Sequence, residues 1–369
     1  MIAILLDSSA AGGIETHVAV LADCIRRAGH SVQVLFLRDH GPHPLRRQLD
    51  ARGVVHANLD GSIRDLCAAL AAHPDGLLHT HGYKANIYGR IAAWRTRTPF
   101  VSTYHAGERG PFPVNLYQQL DTWLTSSSTR LCVSSQIQSR FVFKPRLVRN
   151  FLPAPATPHL AAQSPVLAPG ELPATEVPRR IVFVGRASEE KAPDRFCQIA
   201  ETLAARCPGR FSCHLFGAGP MLEEMRARYG QTVTFHGFVE DVSAVLASAD
   251  LLLIPSRAEG LPMVALEALS HGVPIIATPV GDLPAVVVPG QTGALIDGDP
   301  VAGGVAQVLW WDGLAANEQR ALRLNARAHL ETHFSATRWL PEIFQAYAEA
   351  GWESGVAGSP RAATIAATR

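Results

Sequence analysis

The sequence predicts an α/β chain built from two Rossmann-like halves. Short, nearly continuous apolar runs alternate with amphipathic segments along both halves, the signature of parallel strands covered by helices. A proline-rich span interrupts that alternation once, near the middle. The chain has 369 residues, 47% of them hydrophobic, enough for two domains with separate cores.

In the front half, strands are expected at 2–6, 31–37, 54–57, 77–80, 100–104 and 130–133, with amphipathic segments such as 15–27 and 63–72 between them. Residues 151–178 contain seven prolines and little periodicity, and read as a linker. Strands resume at 179–185, 211–216, 232–239 and 249–254, with helices at 193–206 and 221–229. Further helical patterns cover 301–311, 315–332 and 337–350. The expected organisation is therefore a Rossmann-like domain over 1–150, the linker, and a second such domain over 179–335. A terminal helix at 336–350 is expected to pack back toward the first domain, followed by a small, polar, disordered tail at 351–369.

Composition removes several classes. No run approaches the apolar length of a spanning helix, and residues 1–6 lack the basic lead and long apolar core of a secretory signal. The six cysteines form no Cys-x2-Cys pair, so a reduced cytoplasmic setting without zinc is the default. The basic residues are scattered and lack interleaved aromatics, which disfavours a nucleic-acid module. Charge is uneven, however. Residues 1–150 carry 17 Lys or Arg against 10 Asp or Glu, while residues 151–369 carry 16 against 22. A basic front domain suits an anionic acceptor or peripheral contact with an anionic membrane face; attraction between oppositely charged domains explains the asymmetry as well.

Five strings carry candidate chemistry, in chain order. After the first strand, Gly12-Gly13-Ile-Glu15-Thr-His17 lets backbone approach a ligand at a helix start; a tight strand–helix turn needs the same glycines. His105 stands where the fifth strand ends, whereas His79 and His81 read as structural residues or as cleft lining. Arg186 and Lys191 follow the strand at 179–185, a planar fork and a compact charge suited to a diphosphate, although Glu189, Glu190 and Asp194 could pair with them. Gly217-Ala-Gly219 follows the next strand but lacks the third glycine of a dinucleotide fingerprint. Phe238 and Val239 end the strand after that, where ordinary core packing is equally available.

The fifth string is the most informative. Glu259-Gly260-Leu261-Pro262 leaves a buried strand and enters a helix that carries Glu267, eight positions after Glu259. Each glutamate taken singly fits a solvated helix position. Together they flank a loop whose N–H groups open a helix, at the carboxyl end of a strand where open α/β sheets bind ligands.

The Glu-x7-Glu block, together with Arg186-x4-Lys191, resembles the retaining GT-B glycosyltransferases of family 4, the group 1 glycosyl transferases. The resemblance spans about residues 2–350. It is strongest over 180–293 and thin over 107–150. It implies the GT-B fold, two Rossmann-like domains facing across a cleft, and a nucleotide-sugar donor, a UDP-sugar ahead of a GDP-sugar. It further implies that Arg186 and Lys191 bind the diphosphate and neutralise the leaving group. Glu259, Gly260 and Leu261 would contact the donor sugar and Glu267 the ribose. Phe238 and Val239 would present main chain to the base, with Gly217 nearby. Gly12 and Gly13 would lie near the donor phosphate, and His105 at the donor sugar or reacting centre.

The implied reaction is transfer to an acceptor hydroxyl with retention, by front-face attack in which the leaving phosphate takes the acceptor's proton, without metal or other cofactor. The acceptor class is a sugar, a lipid-linked molecule or a small metabolite, in bacterial polysaccharide, glycolipid or metabolite glycosylation. The chain departs from the family pattern at Asp282 and Ala285, where a glycine and a glutamate are usual, and this puts any polar contact from position 285 in doubt. Three other readings fit parts of the sequence: a sugar-nucleotide epimerase on the same fold, a two-lobed sugar-binding protein, and a non-catalytic transferase homologue.

Overall fold

The computed structural model describes residues 1–8, 12–105, 129–139, 141, 144–153 and 178–353. Most of the expected linker, most of the expected tail, and residues 9–11 of the first glycine loop lie outside them. The chain divides into two compact units, Met1–Arg149 with Ala336–Arg369, and Asn150–Ser335.

In the first unit the strands are β1 (Ile2–Leu6), β2 (Val32–Phe36), β3 (Val55–Asn58), β4 (Leu77–His81), β5 (Phe100–Tyr104), β6 (Thr129–Cys132) and β7 (Arg146–Leu147). They pair in parallel in the order β3-β2-β1-β4-β5-β6-β7. Every residue of β1, β4 and β5 is buried. Burial on both faces explains why β1 reads as an unbroken apolar run, whereas β4 and β5 also bury His79, Thr80, His81, Ser102 and Thr103. Among the described residues the connecting helices are α1 (Gly13–Arg27), α2 (Pro44–Ala51), α3 (Ile63–Ala71) and α4 (Tyr83–Thr96), with a single further turn at Ser135–Gln138. The six foreseen strands lie within one residue of expectation at each end, while β7, α2 and α4 were not foreseen. α4 hides Ala85, Asn86, Gly89, Ala92 and Ala93, so it packs by close approach of small residues and gives no periodic large-apolar signal. A Cβ on Gly89 would stand 2.5 Å from the Thr80 side chain. The helix Ala336–Glu349 belongs to this unit, with the hydroxyl of its Tyr347 2.8 Å from Nδ1 of His79.

The second unit repeats the design with β8 (Arg179–Val184), β9 (Phe211–Phe216), β10 (Val233–Gly237), β11 (Leu251–Ile254), β12 (Ile275–Ala277) and β13 (Gly293–Leu295). The order is β10-β9-β8-β11-β12-β13, again parallel. One core gathers Ile181, Phe183, Phe196, Leu215, Leu253 and Trp311. Each fully buried side chain of this kind contributes roughly 1.5–3 kcal/mol. In both units strand order reverses beside the first strand, between β1 and β4 and between β8 and β11. Those two switch points open crevices at the carboxyl ends of the strands, which is where ligands settle in this architecture.

Candidate active site

The second unit brings its site residues to the carboxyl ends of four successive strands. Arg186 and Lys191 follow β8, Gly217 follows β9, Phe238 and Val239 follow β10, and Glu259 to Leu261 follow β11. Lys191 closes a short 3-10 turn, Glu189–Lys191. Ala192 then takes a left-handed conformation (φ 55°) that starts the helix Pro193–Arg206. A non-glycine residue held there costs of order 1–3 kcal/mol, strain of the kind that concentrates at functional sites.

Lys191 and Glu259 meet. Lys191 Nζ lies 2.5 Å from Glu259 Oε2, and Ser256 Oγ donates to Glu259 Oε1 at 2.8 Å, so both carboxylate oxygens are held. The Glu259 side chain is nearly inaccessible, whereas part of the Lys191 side chain stays in solvent. The basic and acidic strings, 68 residues apart, thus form one charged floor at the switch point.

The surrounding loop is fastened to the 3-10 turn. The Arg257 and Ala258 N–H groups both donate to the Glu190 carbonyl, and Arg257 grips Asp194 through two bonds of 2.8 and 2.6 Å. That guanidinium holds the Asp194 carboxyl below its usual pKa. Carbonyls of the loop also face inward: Gly260 O accepts from Asp282 N at 2.8 Å and Leu261 O from Asn150 Nδ2 at 2.7 Å. What the loop retains for a ligand is the N–H groups of Glu259, Gly260 and Leu261, together with the start of the helix Met263–His271, which no side chain caps. Glu267 lies in the second turn of that helix, half-buried.

Arg186 is exposed and has no ion-pair partner among the described residues. Phe238 is 50% exposed, which sets aside core packing for it, and Val239 beside it is half-buried. Gly217 has a backbone reason for its identity. At φ 144°, an added Cβ would stand 1.8 Å from the Gly185 carbonyl oxygen. At the departures, positions 282 and 285, two bonds involve main-chain groups and do not depend on the side chain there: the Asp282 N–H donates to the Gly260 carbonyl and the Ala285 carbonyl accepts from His329. A Cβ on the neighbouring Gly281 (φ 59°) would stand 2.3 Å from the Glu259 carbonyl oxygen.

One motif bearing on metals escaped the sequence reading. Asp297-Gly298-Asp299 is an Asp-x-Asp pair. Asp299 Oδ1 accepts from the N–H groups of Val301 and Ala302 and caps the helix Pro300–Asp312.

The first unit assembles a histidine cluster at its own switch point. Gly12 and Gly13 open α1, and His17 comes one turn later, buried. Its ring lies 5.4 Å from that of His81 and 4.9 Å from that of His105, and His81 Nδ1 is 2.8 Å from His105 Nε2. His105 therefore works inside a cluster, not alone at a strand end. Its joining with His17 and His81 was not visible in the sequence because the three come from separate segments. His79, fully buried, is fixed by Thr103 and Tyr347. Lys84, Asp7 and His40 form a further linked group beside β1, which the sequence reading also missed.

Burial pushes the pKa of His79 down to about 3 and that of His81 well below its ordinary value. Above pH ~6.5 both folded and unfolded histidines are neutral; below it only the unfolded ones take protons, so stability falls with acidification. The expected loss is about 1.4 kcal/mol per pH unit for each histidine below ~6.5. Urea melts at neutral pH and at pH ~5.5 check this, and equal stability at both would contradict it.

Comparison with known proteins follows the same division. Residues 12–149 match the "Glycosyl transferase 4-like domain" family and residues 178–310 match "Glycosyl transferases group 1". D-inositol 3-phosphate glycosyltransferase of Nocardia farcinica is 34% identical over 205 residues, covering 51% of this chain and 42% of that protein. The Mycolicibacterium smegmatis protein of the same name is 25% identical over 392 residues, covering 92% and 87%. Among solved structures, Anabaena Alr3699/HepE in complex with UDP-glucose superposes with a TM-score of 0.76 at 18% identity, over 94% of this chain and 99% of that one. A glycosyltransferase from Rickettsia africae gives 0.74 at 16% identity, over 96% and 99%. With both halves matched in sequence and both sheets shared with these neighbours, the chain belongs to the group 1 glycosyl transferases and has the GT-B fold.

Proposed function

We propose that this glycosyltransferase moves a sugar from a nucleotide-diphosphate donor, a UDP-sugar in first place, to an acceptor hydroxyl with retention of configuration and without a metal. The observation that carries the reading is the Lys191–Glu259 pair at the β8/β11 switch point. A diphosphate leaving group gains charge as it departs. An ammonium already fixed by a carboxylate, the exposed Arg186 fork and an uncapped helix start supply fixed positive potential for it. Retention rests on the family resemblance. The relatives named D-inositol 3-phosphate glycosyltransferase point to a small polar acceptor, and the basic first unit suits one that bears phosphate.

The test is calorimetric or thermal-shift screening of UDP-, GDP-, ADP- and dTDP-sugars on wild type and Glu267→Ala. The expected result is one donor class bound by wild type, with a loss of at least ~1 kcal/mol in the variant, the scale of a hydrogen bond to a charged group. Equal affinity in both proteins would remove Glu267 from the ribose. For the bound donor, the anomeric configuration of the product by NMR and turnover in chelator decide retention and metal independence.

A further inference from the structure

At the amino ends of β5, β6 and β7, opposite the edge that carries the histidine cluster, the first unit has a groove of about 820 Å3. Among the described residues that line it, five are cations, Arg90, Arg97, Arg130, Lys144 and Arg146, and one is an acid, Glu349, which Arg146 already engages at 2.6 Å. Arg97 and Lys144 have no ion-pair partner among the described residues. Trp94, also in the lining, is 79% exposed, a large aromatic surface left in water. Arg97 caps α4 in a left-handed conformation (φ 57°) where glycine is the usual residue, so a cation is kept against a backbone cost. The dipole of α4 favours a cation at that end. It does not explain Arg130 and Lys144, which come from other segments.

We propose that this groove and Trp94 form a docking surface for anionic phospholipid headgroups at a membrane face. Clustered cations meet the negative surface, and an exposed tryptophan at their rim settles at headgroup level, where its amphipathic ring is favoured. A small soluble anion would use the cations and leave Trp94 without a role. No helix among the described residues is long and apolar enough to cross a membrane, so contact of this kind would be peripheral. Docking here leaves the carboxyl-end edge of the same sheet uncovered.

The proposal is independent of the transfer reaction, and its test uses the full chain. In co-sedimentation, wild type is expected to bind vesicles of phosphatidylcholine with phosphatidylglycerol but not phosphatidylcholine alone, with binding that falls as salt rises. Neutralising a cation near such a surface lowers partition about fivefold, so Arg97→Ala/Lys144→Ala should lose about 25-fold. Trp94→Ala should bind more weakly yet keep the salt dependence. Unchanged melting and donor affinity in the variants exclude misfolding. Failure of wild type to bind anionic vesicles, or equal binding by the variants, overturns the proposal. So does calorimetric binding of inorganic diphosphate in the groove without vesicle affinity, which would mark a small-anion site. None of these outcomes touches the donor screen above.

Discussion

Lys191→Met is expected to lower turnover with the donor found by the binding screen by about 10^2–10^3-fold, the scale seen when one preorganised electrostatic contact to a developing charge is removed. Donor affinity should fall much less, because ground-state diphosphate still meets Arg186 and the helix start. The change also strands the carboxylate of Glu259, whose side chain is 4% exposed. Removing one partner of a buried pair destabilises strongly, by up to ~3–5 kcal/mol, and the 29% exposure of Lys191 brings the expected loss below that range. Adding Glu259→Gln should therefore restore melting temperature without restoring turnover. A single variant within a few-fold of wild-type kcat would take Lys191 out of leaving-group stabilisation. A double variant that melts no higher than the single one would show that the pair has no energetic coupling.

Gly217→Ala should be the most damaging of the conservative changes to the second unit. The new methyl would stand 1.8 Å from a backbone carbonyl, and the residue sits at φ 144°, so neither a side-chain shift nor a rotamer change relieves it. Backbone at β8 or β9 must move, and those strands carry the Arg186 turn between them. A loss above ~3 kcal/mol is expected, near the severe end for single substitutions. For a unit of this size that corresponds to roughly 6–12 °C in the melting transition. Gly13→Ala is the control: nothing lies within 4 Å of its added Cβ, and it occupies a helix start. Its stability should hold or rise by up to ~1 kcal/mol, and any loss of activity there would report close ligand approach instead. Calorimetry on both variants separates the cases, and equal melting of Gly217→Ala and wild type would refute the steric account.

Much of the fold was readable because both sheets bury both faces of their inner strands. Residues 2–6 and 251–254 then appear as compact apolar runs that no helix of typical length would produce. α4 was hidden because its contacts are made by alanine and glycine, and closeness of backbone leaves no hydrophobic stripe. The charged strings were readable as strings. Arg186 with Lys191, and Glu259 with Glu267, are each local in sequence and each sit beside a strand end. Their convergence on one donor is what the resemblance implies, while the direct Lys191–Glu259 bond depends on β8 and β11 being neighbours despite the two strands that intervene in the chain. The histidine cluster and the cationic groove were out of reach for the same reason. Each draws on segments far apart in sequence, and only the strand order brings them together. Gly217 shows the opposite limit: a glycine after a strand reads as space for a ligand, while here it also leaves space for a neighbouring carbonyl.

The fastening of the 255–260 loop has a consequence for molecular recognition. Glu190 and Asp282 hold its main chain, Asp194 holds the Arg257 side chain, and Asn150 holds the adjoining Leu261 carbonyl, all through bonds that involve no ligand. An incoming sugar nucleotide would therefore find a finished template, and little of its affinity would be spent on arranging protein. Such a floor discriminates by fit. It should reject an epimer whose hydroxyl points the wrong way more sharply than a pliable loop could, because the loop cannot rearrange to follow it.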